Sequence, residues 1–157
     1  MDRKPDPKRI FQSSGSDFVW IGRGAQIAPT ACCGERVIIG VATRIDANTT
    51  IGTGVTISDG ARIGARVTLE DGVMIAADAR IAEDVTIGAR SWIGQGVYVL
   101  PGTIIGQDVR VCSFAQIGPR ARIADNVRVG KASLIGMDIA IPTGVILDDF
   151  SCQIERA

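Results

Sequence analysis

Histidine is absent from all 157 residues of the sequence. Imidazole has its proton equilibrium near neutral pH, which makes it the usual general base in proteins and a common metal ligand. No position of this sequence can supply it. No catalytic residue, metal site or cofactor is therefore predicted, and no Asp or Glu stands out as a replacement.

Aromatic residues are also scarce, at 4% of the sequence, although apolar residues make up 46%. A compact globular core usually contains several Phe, Tyr and Trp side chains, each of which buries a large area. The interior of this protein must instead be aliphatic and repetitive. Glycine is abundant, with 19 residues, but its regular spacing argues against a disordered chain.

Charge of one sign is not in excess, because 17 basic and 17 acidic residues cancel. No global field favours nucleic acid or an anionic membrane. The apolar runs are far too short to span a bilayer. The N-terminus, MDRKPDPKRIFQ, has charges and prolines where a secretory signal has its apolar core. These features predict a soluble, cytoplasmic protein without a nucleic-acid or membrane partner.

The cysteines include no C-x-x-C pair. They are Cys32, Cys33, Cys112 and Cys152. Cys32 and Cys33 are adjacent, so their side chains would point to opposite faces of a strand. We interpret all four as reduced thiols that fill small sites, with redox or metal roles as the alternative.

A six-residue repeat dominates the rest of the sequence. In the stretch VTIGARSWIGQG (85–96), the pattern small-x-Ile-Gly-x-x occurs twice, with Ile87 and Ile93 as anchors. The anchor recurs every six residues from position 21 to position 147, and 21 of the 22 anchors are aliphatic. Two places before it, 21 of the 22 repeats have Val, Ala, Thr or Ser. A gap of two puts both side chains on one face of a strand.

Turn-forming residues stand three places after the anchor. Gly, Asn or Asp occupies this place in 13 of the 22 repeats, and these residues tolerate a positive φ angle. Each unit is therefore predicted to be a short strand followed by a corner. The phase holds over residues 19–148, so no inserted loop is expected there. Residues 1–18 are expected to form an N-terminal tail or cap, and residues 149–157 a short C-terminal cap.

An all-β sandwich is the ordinary alternative, but its hairpins vary in length and shift the phase of the alternation. A fixed short period instead predicts a stacked repeat. Units such as TTIGTG (49–54) and VTIGAR (85–90) resemble the hexapeptide-repeat family over 130 of the 157 residues. The resemblance implies an all-β, single-domain, left-handed parallel β-helix. It would have three strands in each triangular coil of 18 residues, and about seven coils.

The family resemblance also bears on activity. Acyltransferases of this family resemble one another in using a histidine as general base, and its carbonic anhydrases hold a metal with three histidines. Neither arrangement can be transferred to any position of this sequence. Family enzymes usually interrupt the coils with a loop that closes over substrate and excludes water, whereas this repeat is uninterrupted. We therefore favour a chain without catalytic residues over an enzyme.

The residue before each anchor points outward, and every third unit lies on the same face of the prism. The resulting tryptophan ladder consists of Trp20, Ile38, Thr56, Met74, Trp92, Arg110, Arg128 and Ile146. Trp and Met are enriched in protein interfaces, so we predict a protein–protein contact at Trp20, Ile38, Met74 and Trp92. The resemblance implies a homotrimer of parallel prisms. Arg110 and Arg128 would then flank the contact or pair with acids of a neighbouring copy.

The second face carries the arginine ladder, which consists of Gln26, Arg44, Arg62, Arg80, Tyr98, Gln116 and Leu134. Arginines stacked at about 4.8 Å repel one another unless acids or an anion lie between them. One interpretation is a solvated face that Asp46, Glu83 and Asp84 neutralise. The other is that Arg44, Arg62 and Arg80 form a docking strip for an acidic partner or a polyanion, since guanidinium suits carboxylate and phosphate geometry.

These patterns favour a non-catalytic β-helix that assembles with itself or scaffolds a partner. A homotrimer is the favoured assembly, and an end-to-end filament is the second possibility. The alternative function is a divergent acyltransferase-like protein, or an accessory or oligomerisation subunit of a sugar nucleotidyltransferase or acyltransferase. The sequence does not identify a small-molecule ligand.

Overall fold

Every regular element in the structure, a computed structural model that describes residues 18–154, is a β-strand. The 23 strands form three parallel sheets of eight, eight and seven strands. Consecutive strands belong to different sheets, so the chain passes once through each sheet in every coil. The expected N-terminal tail and cap lie outside the described residues, except for Phe18.

The strand bounds repeat with the period of the sequence. The first sheet consists of β1 (Val19–Ile21), β4 (Val37–Ile39), β7 (Thr56–Ile57), β10 (Met74–Ile75), β13 (Trp92–Ile93), β16 (Arg110–Val111), β19 (Arg128–Val129) and β22 (Ile146–Leu147). The second consists of β2 (Gln26–Ile27), β5 (Arg44–Ile45), β8 (Arg62–Ile63), β11 (Arg80–Ile81), β14 (Tyr98–Val99), β17 (Gln116–Ile117), β20 (Leu134–Ile135) and β23 (Cys152–Gln153). The third consists of β3 (Cys32–Cys33), β6 (Thr50–Ile51), β9 (Thr68–Leu69), β12 (Thr86–Ile87), β15 (Ile104–Ile105), β18 (Arg122–Ile123) and β21 (Ala140–Ile141).

Strand pairing follows one register throughout. Each residue pairs with the residue 18 positions later, as in Met74 with Trp92 and Arg62 with Arg80. The prediction of a left-handed parallel β-helix with triangular coils and no inserted loop is confirmed for residues 18–154. β23 lies in the segment expected to be a C-terminal cap, and it extends the second sheet by pairing with β20. The described chain therefore forms nearly eight coils, slightly more than the predicted number of about seven.

The interior of the prism is a stack of the predicted anchors. Ile57, Ile87 and Ile93 have no exposed surface, and the smaller residues two places before these three anchors are equally buried. Full burial of one such isoleucine contributes roughly 1.5–3 kcal/mol relative to an exposed one. The repeat therefore produces a continuous aliphatic core without any aromatic side chain.

Buried hydroxyl groups also occupy the interior, at the place two residues before the anchor. Each donates a hydrogen bond to the backbone carbonyl 15 residues later, as Thr49 Oγ1 does to Gly64 O at 2.8 Å and Ser91 Oγ to Gly106 O at 2.8 Å. Within residues 18–154, no buried side-chain polar atom lacks a partner. The hydroxyls thus tie neighbouring coils together from the inside.

Each corner turns on a residue with positive φ, three places after the anchor. Seven of these residues are glycines and fourteen are not, and the fourteen include Arg66, Phe114 and Ala132. Thr30 does not share this conformation. The corner amide is fixed by the coil before it, as where Phe114 N donates to Gln95 O at 2.9 Å. The corners place outward side chains of successive coils directly above one another.

Candidate interaction surfaces

The tryptophan ladder is an exposed, partly apolar column on the first sheet. Its rungs follow one another in register, from Trp20 beside Ile38 to Met74 beside Trp92. Trp20, Ile38 and Met74 are 43%, 44% and 49% exposed. The structure therefore brings the four predicted interface residues onto one face, with three of them open to contact.

Trp92 differs from the other three residues because it is only partly exposed. The guanidinium carbon of Arg110, one rung further along β16, lies 5.4 Å from the centroid of the Trp92 ring. A cation over an aromatic face is attracted by about 0.5–1 kcal/mol at an exposed site. The sequence predicted that Arg110 would flank the contact with a neighbouring copy or pair with its acids. It did not predict this contact with Trp92, because the contact depends on the rotamers of both side chains.

The start of the tryptophan ladder adjoins a shallow apolar groove of about 500 Å³. Trp20, Ile38 and Val41 line it. Val41 is 47% exposed but precedes a corner rather than an anchor, so it does not belong to the ladder pattern of the sequence and was not predicted as an interface residue. A search for apolar residues one place before the corner could have found it.

The arginine ladder also forms as predicted, on the second sheet. Arg44, Arg62, Arg80 and Tyr98 are consecutive rungs in register. Arg44 is neutralised, because its Nε donates to Asp46 Oδ1 at 2.8 Å. Arg62 and Arg80 are exposed, and neither forms an ion pair with the residues that the structure describes.

Asp84 does not neutralise the arginine ladder, which corrects one expectation from the sequence. Its carboxylate accepts hydrogen bonds from Nε and Nη2 of Arg66, at 2.7 and 2.9 Å. Arg66 has a raised pKa, chiefly through this hydrogen bond and to a smaller extent through the charge of Glu83. Both acids therefore act on the corner arginine Arg66.

Two further corner ion pairs have the same geometry as Arg66–Asp84. Arg90 binds Asp108, and Arg120 binds Asp138, with each arginine 18 residues before its acid. Hydrogen bonds from the arginines lower the pKa of all three carboxyl groups. These exposed pairs connect neighbouring coils at the corners, and they leave the sheet faces free.

The third face carries a ladder of Cys32, Thr50, Thr68, Thr86, Ile104, Arg122 and Ala140. Ile104 is 47% exposed and lines a groove of about 430 Å³ together with Arg122 and Pro142. Only one rung of this face carries a large apolar residue. It is therefore a weaker candidate for a contact than the tryptophan ladder.

The cysteines only partly match the sequence interpretation. All four are free thiols; Cys112 is buried, whereas Cys32 and Cys152 are exposed on the outer surface. Burial raises the pKa of the Cys33 thiol, and the charge of Cys32 adds to the shift. Among residues 18–154, no group of three or more Cys, Asp or Glu side chains is placed to hold a metal ion.

The described residues include no helix long and apolar enough to cross a membrane. The uninterrupted coils and the outward ladders define a hexapeptide-repeat β-helix. Residues 16–115 match the family described as the GMPPB C-terminal domain, and the chain belongs to this family. No curated protein sequence gives a significant match.

Solved structures with the same fold include those of acyl-group transferases. A perosamine N-acetyltransferase from Caulobacter crescentus, in complex with CoA and GDP-perosamine, is 22% identical with a TM-score of 0.66, covering 85% of this chain and 54% of its own. LpxA from Acinetobacter baumannii is 19% identical with a TM-score of 0.64, and the match covers 85% of this chain and 67% of the LpxA chain. The acetyltransferase domain of PglB from Neisseria gonorrhoeae, in complex with acetyl coenzyme A, is 22% identical with a TM-score of 0.61, covering 79% and 57%.

These similarities concern the fold. The chain spans little more than half the length of the perosamine N-acetyltransferase and of the PglB domain chain.

Proposed function

We propose that this chain is a non-catalytic β-helix that assembles with itself through the tryptophan ladder. The observation that carries the proposal is the exposure of Trp20, Ile38 and Met74 on one sheet, each above 40%. Large apolar side chains that share one face and remain open to water favour association. A homotrimer is the arrangement that we favour, and an end-to-end filament, which would join through the terminal coils instead of this ladder, is the alternative. The cytoplasmic location and the absence of a nucleic-acid partner remain predictions.

The size of the face is sufficient for a specific contact. Eight strands spaced by about 4.8 Å give a face roughly 34 Å long, and six residues between corners give a width of roughly 20 Å. A copy could therefore bury roughly 700 Å² on this face, or about 1,400 Å² for the pair, which lies within the range of stable interfaces. A second copy supplies a surface of matching length and shape.

The molar mass in solution tests this proposal. Light scattering behind a sizing column, at two concentrations, should give a stable multiple of 16.5 kDa for the wild type. Met74→Arg, which places a charge in the middle of the ladder, should reduce the mass to that of the monomer. Ile104→Arg is the matched control, because Ile104 occupies the same place of the repeat on the third sheet with similar exposure, 47%.

A wild-type monomer would overturn the proposal, as would an oligomer that Met74→Arg does not change. A mass that grows with concentration and does not respond to Met74→Arg would support the filament instead. Trp92→Arg is a less specific variant, since it also removes the contact with Arg110.

An acyltransferase-like protein, or an accessory subunit of an acyltransferase or sugar nucleotidyltransferase, is the second candidate. Two observations favour it: membership of the GMPPB C-terminal domain family and a fold shared with proteins bound to CoA or acetyl coenzyme A. Calorimetric titration with acetyl coenzyme A and with a GDP-sugar tests it. Saturable binding of either compound would favour this candidate over a purely structural role.

A further inference from the structure

The arginine ladder contains two neighbouring cations that the described chain does not neutralise. Arg62 and Arg80 are register partners on β8 and β11. Their backbones are therefore about 4.8 Å apart, the spacing of neighbouring strands. Like charges directly opposite one another destabilise a sheet. An anion held between the two guanidinium groups would remove this repulsion.

No side chain that the structure describes forms an ion pair with Arg62 or Arg80. The residues beside it are small, namely Gly60, Gly64 and Ala82. Asp46, in the preceding coil, is bound to Arg44. Asp78, at the corner two residues before Arg80, and Glu83, three residues after Arg80, are the remaining nearby acids, and neither forms an ion pair with Arg62 or Arg80. The pair therefore keeps two guanidinium groups without an ion-pair partner, and both are exposed to a ligand.

The described residues of a second copy offer no ladder of acids that would match the pair. Two arginines on adjacent rungs would need two acids on adjacent rungs, 18 positions apart in sequence. Among residues 18–154, no two acidic residues have this separation. A small anion that matches the pair would carry its negative charges close together, as a phosphate or diphosphate group does.

Tyr98 adds an aromatic surface at the next rung. It pairs in register with Arg80 and is 40% exposed. An exposed tyrosine ring can stack on a planar ring of a ligand, and its hydroxyl can donate a hydrogen bond. A ligand that contacts all three rungs has a phosphate group at one end and a planar ring at the other.

We propose that Arg62, Arg80 and Tyr98 form a binding site for a small organic phosphate. The guanidinium groups donate paired hydrogen bonds to the phosphate oxygens, which is the geometry that arginine favours. The ring of the ligand lies against Tyr98. The site is on the second sheet, whereas the tryptophan ladder is on the first, so this inference does not rest on self-assembly.

Calorimetric titration of the full chain at low ionic strength tests the site, with pyrophosphate and ADP as probes. ADP should bind more tightly than pyrophosphate, since only ADP reaches Tyr98. Arg62→Gln and Arg80→Gln should each weaken both probes by at least tenfold. Tyr98→Leu should weaken ADP alone. Without ligand, Arg62→Gln should also raise the thermal midpoint, because it removes the repulsion between the two arginines.

Arg122→Gln is the matched control. Arg122 occupies the same place of the repeat on the third sheet, between Ile104 and Ala140, and its loss should leave both titrations unchanged. Failure of both probes to bind would overturn the proposal, and so would binding that Arg62→Gln does not affect or that Arg122→Gln weakens equally. Binding of a heparin fragment without ADP or pyrophosphate would overturn it too, because the arginines would then serve a polyanion. Equal affinities for the two probes, unchanged in Tyr98→Leu, would overturn the ring contact.

Discussion

The ring of Phe114 lies against the corner of Gly96, one coil earlier. A β-carbon placed on Gly96 would be 2.8 Å from Cδ1 and 2.9 Å from Cε1 of Phe114. Both residues have positive φ, 62° at Gly96 and 64° at Phe114. A bulky residue in this region is uncommon and costs about 1–2 kcal/mol. The exposed phenyl ring occupies the space that the missing side chain of Gly96 leaves.

Gly96→Ala should therefore destabilise the protein in two ways. The new methyl group would be strained at positive φ, at about 1–2 kcal/mol, and it would also displace the Phe114 ring. Gly54→Ala is the control, because Gly54 has a φ of 70° and no atom within 4 Å of an added β-carbon. Urea unfolding should show a larger loss for Gly96→Ala. Equal losses in the two variants would mean that the ring contact contributes nothing.

Ser91→Ala should lower the free energy of unfolding, although alanine occupies this place of the repeat in other coils, as at Ala115. Ser91 Oγ donates to Gly106 O at 2.8 Å and accepts from Val109 N at 3.0 Å. Loss of the hydroxyl leaves buried backbone groups with fewer partners, which costs about 1–3 kcal/mol. Chemical denaturation measures the change. A loss below about 0.5 kcal/mol, the usual limit for a surface substitution, would show that the backbone finds other partners.

Acid should weaken the fold through the three corner carboxyl groups. Their pKa values are lowered from the ordinary 3.8 by hydrogen bonds from arginine, in the pairs Arg66–Asp84, Arg90–Asp108 and Arg120–Asp138. A group whose pKa is lower in the folded protein contributes stability that is complete above its unfolded pKa and is lost as pH falls through its folded pKa. The contribution should hold at about pH 5 and above and decline below 3.8.

The urea midpoint, followed from about pH 6 to about pH 2, measures this decline. A variant with asparagine in place of Asp84, Asp108 and Asp138 should lose less stability in acid than the wild type. An identical acid dependence in both proteins would assign the decline to other carboxyl groups. High salt should reduce the difference, since all three pairs are exposed.

The sequence was sufficient to predict the fold and the order of the ladder residues. Anchors such as Ile87 and Ile93 determine which side chains are interior, and a constant coil length of 18 residues determines which outward residues are neighbours. The face on which a residue lies does not depend on its side-chain rotamer or on its hydrogen-bond partner. That is why Trp20, Ile38 and Met74, and likewise Arg62 and Arg80, were assigned to the correct faces.

Contacts that depend on side-chain conformation could not be predicted in this way. Asp84 had arginines on both a ladder and a corner within reach, and only the structure shows that it binds Arg66. Turn propensity indicated positive φ for Gly, Asn and Asp, but not for Phe114. Gln153 is a polar residue in an anchor position, so the aliphatic pattern gave no signal for β23. The register with β20 nevertheless maintains that strand.

The constant register of 18 residues, seen between Met74 and Trp92, also determines how the length of such a protein can change. A deletion of one whole coil would shorten the prism by a single layer and keep every later residue on its original sheet. A deletion of one six-residue unit would also keep anchors inside, but would move every later residue to the neighbouring sheet. Both deletions would keep the hydrophobic core, whereas only the first would keep the outward residues on their original faces. Insertions and deletions therefore keep each outward residue on its original face only when they comprise whole coils.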